Sequence, residues 1–196
     1  MYRKDRKKEF YTCLARKEGY PARSVYKLKE LDEKHGIFKK GDKVLDLGSA
    51  PGSWLLYISK KIGDKGCVTG VDEEALNIKN IPNISFIKKS VFDLKEGDFS
   101  NKFEAVVSDL SPKTSGIKSV DSGKSLDLVK RSFEIAKMFL APKGNFVCKA
   151  FESDQVGSFF KAMKEYFEFA KISKPRAVFK KSKEFYIVAK GFKNPC

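Results

Sequence analysis

The fold of this chain is decided by the stretch Val44-Leu45-Asp46-Leu47-Gly48-Ser49-Ala50-Pro51-Gly52-Ser53-Trp54. An apolar run comes first, a turn with two glycines follows, and a helical pattern then continues to Ile62. Strand, glycine turn and helix in this order begin a βαβ unit, in which a ligand can approach the glycine backbone closely. The stretch therefore predicts a nucleotide-type binding loop after the first strand.

Strands and helices alternate along the rest of the chain. Apolar runs predict strands at 43–47, 67–71, 84–87, 105–109, 145–150, 169–173 and 185–189. Helical spacing of apolar residues predicts helices at 24–35, 54–62, 126–140 and 156–167. This alternation is typical of a mostly parallel sheet that helices cover on both faces. We predict an α/β, Rossmann-like fold with a central seven-stranded sheet.

The composition indicates one folded domain with a polyanion partner. The chain has 196 residues and a formal net charge of +15, and 41% of its residues are hydrophobic. The hydrophobic share excludes a disordered basic tail. The charge favours nucleic acid or acidic lipid as a partner, with a purely solubilising surface as the alternative. We predict a basic N-terminal arm at residues 1–20 and a single domain at 21–196.

The cysteine pattern predicts a reduced chain without a zinc site. Cys13, Cys67, Cys148 and Cys196 form no C-x-x-C pair, and His35 is the single histidine. Structural zinc needs a closer set of such ligands. The charged N-terminus is unlike a secretory signal, and no run approaches the roughly 18 apolar residues of a membrane span. We expect a soluble, cytoplasmic protein that binds no membrane and no metal.

The glycine loop favours an adenosine ligand without phosphates. It lacks the G-x-G-x-x-G pattern, and Pro51 removes an N–H that a pyrophosphate would use. Asp72 ends the next strand, 20 residues after Gly52, where a carboxylate can accept hydrogen bonds from both ribose hydroxyls. An ordinary tight turn and a helix cap are the alternatives for the glycines and for Asp72. A nicotinamide oxidoreductase is disfavoured by the same missing pattern.

Five motifs, in order from about residue 10 to the C-terminus, resemble those of the FtsJ-like ribose 2′-O-methyltransferases. They are Arg23–Leu28, Gly48–Trp54, Ser108–Pro112, Phe146–Lys149 and Glu184–Ala189. The resemblance implies the S-adenosylmethionine-dependent methyltransferase fold, with S-adenosylmethionine as the cofactor. It also implies a catalytic tetrad of two lysines and two carboxylates, which by motif are Lys27, Asp109, Lys149 and Glu184.

The resemblance also implies a set of cofactor-binding residues, with one departure. By motif they are Gly48, Ser49, Gly52, Trp54, Asp72, Val91, Phe92 and Asp109. The family usually has a Gly-Asp pair whose carboxylate holds the adenine amino group, where this chain has Ser90-Val91. Either Asp93 substitutes for that carboxylate, or backbone groups near Phe92 and apolar contacts hold the adenine.

Methyl transfer to a ribose hydroxyl needs a positioned hydroxyl and a group that removes its proton or stabilises the resulting oxyanion. Lys149, at the end of a strand, is the residue we expect nearest to the hydroxyl. A neutral Lys149 would act as a base, and a charged one would stabilise the oxyanion. The sequence leaves both roles open, and a solvated strand-end lysine is the structural alternative.

Basic clusters at Arg3–Lys8, at Lys39, Lys40 and Lys43, and at Lys174, Arg176, Lys180, Lys181 and Lys183 indicate RNA as the partner. We expect the first and last clusters to flank the RNA groove, although such runs are often only solvated faces. Because a 2′-hydroxyl acceptor distinguishes RNA from DNA, DNA is not expected. The compact chain resembles family members that methylate a uridine of large-subunit (23S-type) ribosomal RNA. We expect this protein to be a monomer.

Alternatives are tRNA or an mRNA cap as the substrate, a non-catalytic ribosome-assembly factor on the same fold, and a small-molecule O-methyltransferase. The intact tetrad disfavours the assembly factor. The net charge of +15 disfavours the small-molecule enzyme, which has no need of it.

Overall fold

A computed structural model describes residues 2–112, 118–179 and 182–193, and its centre is one seven-stranded sheet. In chain order the strands are β1 Lys43–Leu47, β2 Cys67–Asp72, β3 Ile84–Lys88, β4 Phe103–Ser108, β5 Leu140–Phe151, β6 Phe167–Ser173 and β7 Glu184–Phe192. Their order in the sheet is β3-β2-β1-β4-β5-β7-β6. The first five strands of that order are parallel, and β7 runs antiparallel to both β5 and β6. The predicted mostly parallel seven-stranded sheet is confirmed.

Helices cover both faces of the sheet, as predicted. They are α1 Tyr2–Lys17, α2 Val25–His35, α3 Ser53–Ile62, α4 Lys118–Phe139 and α5 Asp154–Lys164. Helices α2 and α3 pack with Val44 on one face, whereas α4 and α5 pack with Leu45 and Leu47 on the other. Neighbouring residues of β1 thus enter opposite cores, because side chains alternate along a strand. None of the helices in the described ranges is long and apolar enough to cross a membrane.

The segment 1–20, predicted as a basic arm, contains a helix. Over residues 2–17 the backbone forms α1, and Ala15 and Tyr20 are buried against Val25, Tyr26 and Ala177. The basic side chains conceal this short apolar contact in the sequence. The segment is therefore packed against α2 and the 174–179 loop, on the part of the molecule that carries the motif Arg23–Leu28.

Several other boundaries differ from the predicted ones, and strand β5 begins at Leu140, which the prediction placed in the preceding helix. Helix α4 begins at Lys118, eight residues before the predicted start, and α5 ends at Lys164, where the prediction continued to Phe167. Phe167 continues the helical spacing of Phe160 and Met163, but it pairs with Phe192 in the sheet. Tertiary pairing here overrides a local pattern that suits either element.

Asp46 is a fully buried carboxyl in the middle of the apolar strand β1. Neither of its oxygens has a hydrogen-bond partner within the described ranges. Burial raises the pKa of Asp46 well above its usual value, and the carboxylates of Asp109 and Asp72 add to that rise. The neutral acid is therefore favoured in the folded chain, since an unpaired buried charge is costly.

Asp46→Asn is expected to change how stability depends on pH. The folded chain keeps a proton on Asp46 that the unfolded chain releases above about pH 4, so this group lowers stability as pH rises. In urea unfolding, the free energy of unfolding of the variant should rise relative to that of the wild type by up to about 1.4 kcal/mol for each unit of increase in pH. A difference in unfolding free energy that stays constant between about pH 5 and pH 8 would contradict this.

Candidate active site

The carboxyl ends of the parallel strands bring the predicted site residues to one edge of the sheet. Gly48 follows β1, Asp72 ends β2, and Asp109 follows β4. Lys149 lies near the end of β5, and its partner in the register with β7 is Tyr186. Because β7 is antiparallel, its first residue, Glu184, arrives at the same edge.

All four residues of the predicted tetrad lie together there. The Nζ atom of Lys27, from α2, is 2.6 Å from Oε1 of Glu184. The Nζ atom of Lys149 donates to the backbone oxygen of Asp109 at 2.5 Å and lies 3.3 Å from its Oδ1. Each cation thus has a carboxylate partner, which compensates for the loss of hydration at this sheltered edge.

Tyr186 joins the two ion pairs, and sequence reasoning missed it. Its hydroxyl lies 2.7 Å from Oδ1 of Asp109 and 3.1 Å from Oε1 of Glu184, so its single proton can be donated to either. Burial and the two carboxylates raise the pKa of Tyr186 well above its usual value, which keeps the phenol neutral. Because Tyr186 lies in the apolar run 185–189, the sequence pattern indicates only a side chain packed in the core. The available signal was its position two residues after Glu184, on the same face of β7.

The Nζ atom of Lys149 still has capacity for a hydrogen bond to a substrate. Its side chain is only 6% exposed, and its polar contacts with the described part of the chain are to Asp109. An ammonium has three hydrogens, so one would remain for a substrate oxygen, whereas a neutral amine would present its lone pair in that position. The same geometry serves either role predicted for this residue.

A cavity of about 600 Å³ opens beside the tetrad. Its lining follows the order of the strands in the sheet and is completed by α4. It comprises Gly48, Ala50, Asp72, Glu73, Glu74, Lys89, Ser90, Val91, Phe92, Asp109, Leu110, Ser111, Pro112, Lys124, Asp127 and Leu128. Five of the eight predicted cofactor-binding residues are in this lining: Gly48, Asp72, Val91, Phe92 and Asp109.

The loop after β1 can take its shape only with glycine at two positions. Gly48 has a φ of +77°, and a Cβ atom there would lie 2.8 Å from Cδ2 of Leu110. Gly52 has a φ of +109°, and a Cβ atom there would lie 2.8 Å from Cγ2 of Ile78. Other residues are strained in this conformation and would clash. The loop backbone is thus held close to the cavity.

Asp72 fixes this loop and still faces the cavity. Its Oδ2 accepts the N–H of Ala50 at 2.9 Å, and its Oδ1 accepts the N–H of Glu74 at 2.9 Å. A carboxylate has about four acceptor positions, so each oxygen keeps capacity for a further donor. Asp72 can therefore hold the loop and a ribose diol at the same time.

Ser49, Gly52 and Trp54, the other three predicted cofactor residues, lie behind the cavity lining. The Ser49 side chain is buried, and the Trp54 indole donates to the backbone oxygen of Ser24 at 3.1 Å and packs near Tyr186. Any cofactor contact of Trp54 must therefore come from its backbone N–H in the first turn of α3, where such groups lack intrahelical partners. Cofactor contacts for these three residues stay predictions.

The end of β3 distinguishes between the two alternatives for adenine. Val91 is buried and Phe92 is 56% exposed, and both line the cavity. Asp93 is exposed and is not in the lining. The arrangement favours backbone and apolar contacts near Phe92 over a substitute carboxylate at Asp93.

The charges of the cavity suit a cationic adenosine derivative. Asp72, Glu73, Glu74, Asp109 and Asp127 contribute five carboxylates against the two cations Lys89 and Lys124, and Lys89 is already paired with Asp98 at 2.7 Å. A pyrophosphate would be repelled by this set, whereas the ammonium and sulfonium of S-adenosylmethionine would be attracted. The volume is within the usual range for such ligands.

Comparisons with known proteins identify the family of this chain. Ribosomal RNA large subunit methyltransferase E of Desulfatibacillum aliphaticivorans is 42% identical over 184 residues, covering 92% of this chain and 89% of that protein. A solved structure from Plasmodium falciparum, described as a candidate ribosomal RNA methyltransferase, has a TM-score of 0.77 at 25% identity and covers 88% of this chain and 98% of that chain.

Fibrillarin of Aeropyrum pernix, solved with natively bound S-adenosyl-L-methionine, shares the fold. Its TM-score is 0.58 at 17% identity, and the match covers 85% of this chain and 76% of that chain. The family model of FtsJ-like methyltransferases matches residues 20–192. That match spans most of the chain, and this protein therefore belongs to the FtsJ-like methyltransferase family, with S-adenosylmethionine as its cofactor.

Proposed function

We propose that this protein transfers a methyl group from S-adenosylmethionine to a ribose 2′-hydroxyl of RNA, and that the RNA is large-subunit ribosomal RNA. The observation that carries the proposal is the position of Lys149. Its amine is bonded to Asp109, and Asp109 is itself part of the cavity lining. A hydroxyl beside Lys149 would therefore lie next to the end of the cavity that holds the methyl donor.

The bound cofactor supplies a methyl group already activated by its positive sulfur. In the transfer, the bond from the 2′-oxygen to the methyl carbon forms as the bond from sulfur to that carbon breaks. Lys149 either accepts the hydroxyl proton on a neutral amine or stabilises the oxyanion as an ammonium while water takes the proton. Asp109 orients Lys149 in both cases, because its backbone oxygen accepts one hydrogen of Nζ and its carboxylate lies 3.3 Å from the same nitrogen.

Lys27 and Glu184 complete the electrostatic setting. The 2.6 Å ion pair with Lys27 compensates the charge of Glu184, so the carboxylate of Asp109 is the main one that attracts the Lys149 ammonium. The Tyr186 hydroxyl lies between the carboxylates of Asp109 and Glu184 and can donate its proton to either of them. Pre-positioned groups of this kind avoid reorganisation during the reaction.

The RNA surface that we propose combines α1 with the segment 174–183. The Nζ atom of Lys7 donates to the backbone oxygen of Arg176, which joins the first and last basic clusters. Arg23 stacks over Phe179 with 4.7 Å between the guanidinium carbon and the ring centroid. Lys180 and Lys181 of the last cluster lie outside the described residues. Basic side chains that contact phosphates and arginines that stack on aromatic rings are typical of RNA-binding surfaces.

The third basic cluster is not part of this surface. Lys39, Lys40 and Lys43 lie at the amino end of β1, at the opposite edge of the sheet from the tetrad. Ribosomal RNA is favoured as the substrate because relatives that are 42% and 41% identical to this chain carry that substrate in their names. We expect the protein to act on it in the cytoplasm and as a monomer.

Lys149→Ala tests the proposed role of the lysine. We expect labelled methyl transfer to unmodified large ribosomal subunits to fall by about 10²- to 10⁴-fold, the usual contribution of a general acid–base group. The affinity for S-adenosylhomocysteine, measured by calorimetry, should remain within about twofold, because a cofactor of this size makes many other contacts. Near-normal transfer by the variant would end this assignment.

Tyr186→Phe tests the link between the two ion pairs. Loss of the hydroxyl leaves Asp109 and Glu184 free to move apart, and we expect kcat to fall by about tenfold, as for one hydrogen bond to a charged group. Tyr57→Phe is the matched control, since it removes a 2.7 Å bond to Asp32 elsewhere in the core. Equal kcat values for the two variants would exclude a catalytic contribution of the Tyr186 hydroxyl.

Charge reversal tests the RNA surface. Arg176→Glu with Lys183→Glu should weaken RNA binding and reduce the slope of log K against log salt by about 1 to 2, because phosphate contacts release counterions. Lys39→Glu with Lys40→Glu makes the same change of charge at the opposite edge and should leave the slope nearly unchanged. If both double variants changed RNA binding and its salt slope equally, RNA affinity would depend on the net charge of the protein and not on this surface.

A further inference from the structure

Arg131, on α4, binds three backbone carbonyls of one short segment. Its Nε donates to the oxygen of Val91 at 2.9 Å, and its Nη2 donates to the oxygens of Leu94 at 2.6 Å and Phe92 at 3.4 Å. Its Nη1 contacts Glu134 at 3.1 Å. A planar guanidinium has five donors in a fixed geometry, which a lysine cannot reproduce. The segment is thereby attached to α4 at several points.

The segment held by Arg131 is the wall of the cofactor cavity farthest from the tetrad. It is the 3₁₀ turn Val91–Asp93, which follows β3, the strand at the edge of the sheet. The methyl group must lie beside Asp109, after β4, and Asp72, after β2, suits the ribose. The adenine is then directed towards the end of β3, where Val91 and Phe92 line the cavity.

Helix α4 forms the opposite side of this end of the cavity. Asp127 and Leu128 line it, four and three residues before Arg131, and therefore on the same side of the helix. The Arg131 side chain thus connects the two walls between which a base would lie. In the described part of the chain, the Val91–Asp93 turn makes one backbone–backbone bond of its own, from the Asp93 N–H to the oxygen of Ser90.

We propose that Arg131 is a positioning residue for the adenine of the cofactor, which sets the distance between the Val91–Asp93 turn and α4. Arg131 directs the three carbonyls towards itself, so the Val91 and Phe92 side chains form the base-binding wall. The cavity holds the base between these apolar groups without a carboxylate from the turn, since Asp93 is outside the lining. This inference rests on the cofactor and not on the identity of the RNA.

Calorimetry with Arg131→Met, with S-adenosylhomocysteine and adenosine as the probes, tests the proposal. We expect Kd to rise by about tenfold for both probes, because both carry the adenine and the change is confined to its end of the cavity. In methyl transfer, KM for the cofactor should rise while kcat and the KM for RNA stay near the wild-type values. Arg131→Lys, which retains fewer of the three bonds, should give an intermediate Kd.

Lys130→Met is the matched control, because it removes an exposed cation from the neighbouring position of the same helix. It should leave both Kd values unchanged. Unchanged Kd values in Arg131→Met would overturn the proposal, and so would a fall in kcat without a rise in the cofactor KM. If Arg131→Met does not fold, the Arg131→Lys variant is the test: raised Kd values for both probes support the proposal, and unchanged Kd values overturn it. Failure of RNA methylation in the wild type would reject the proposed function and leave this result standing.

Discussion

Four charged side chains meet at the carboxyl edge of the sheet, and each must find an opposite charge to be stable there. Lys149 is bonded to Asp109 and Lys27 to Glu184, and the neutral hydroxyl of Tyr186 joins the two carboxylates. Removing one member of such a set leaves an uncompensated charge, which costs more than the pair itself contributes. The network is therefore a fixed unit, and its geometry determines where a substrate hydroxyl can lie.

The topology of the sheet makes this unit possible. Parallel strands deliver Gly48, Asp72 and Asp109 to one edge, where the connections that follow the strands leave room for a cofactor. The antiparallel strand β7 adds Glu184 to that edge and places Tyr186 opposite Lys149 in the register. The cavity extends from this point towards β3, so the cofactor and the tetrad share Asp109 as their common boundary.

Much of this arrangement can be predicted from the sequence, because alternating apolar runs and a glycine loop are local signals. The strands and the loop at Gly48 belong to this group. The end of α5 was misplaced because Phe167 fits a helix pattern as well as the strand that pairs with Phe192. The roles of Tyr186 and Arg131 depend on partners far away in the chain, which periodicity does not report. Tyr186 resembles an ordinary core residue, and Arg131 an exposed helix cation.

The proposed role of the tetrad is to direct methyl transfer to a ribose oxygen. Its most direct test is to incubate unmodified large ribosomal subunits with the protein and S-adenosylmethionine carrying a deuterated methyl group, followed by mass spectrometry of the nucleosides. The label is expected in a 2′-O-methylnucleoside, at a single position of the large-subunit RNA. Label on a base, or label only on protein or small molecules, would contradict it.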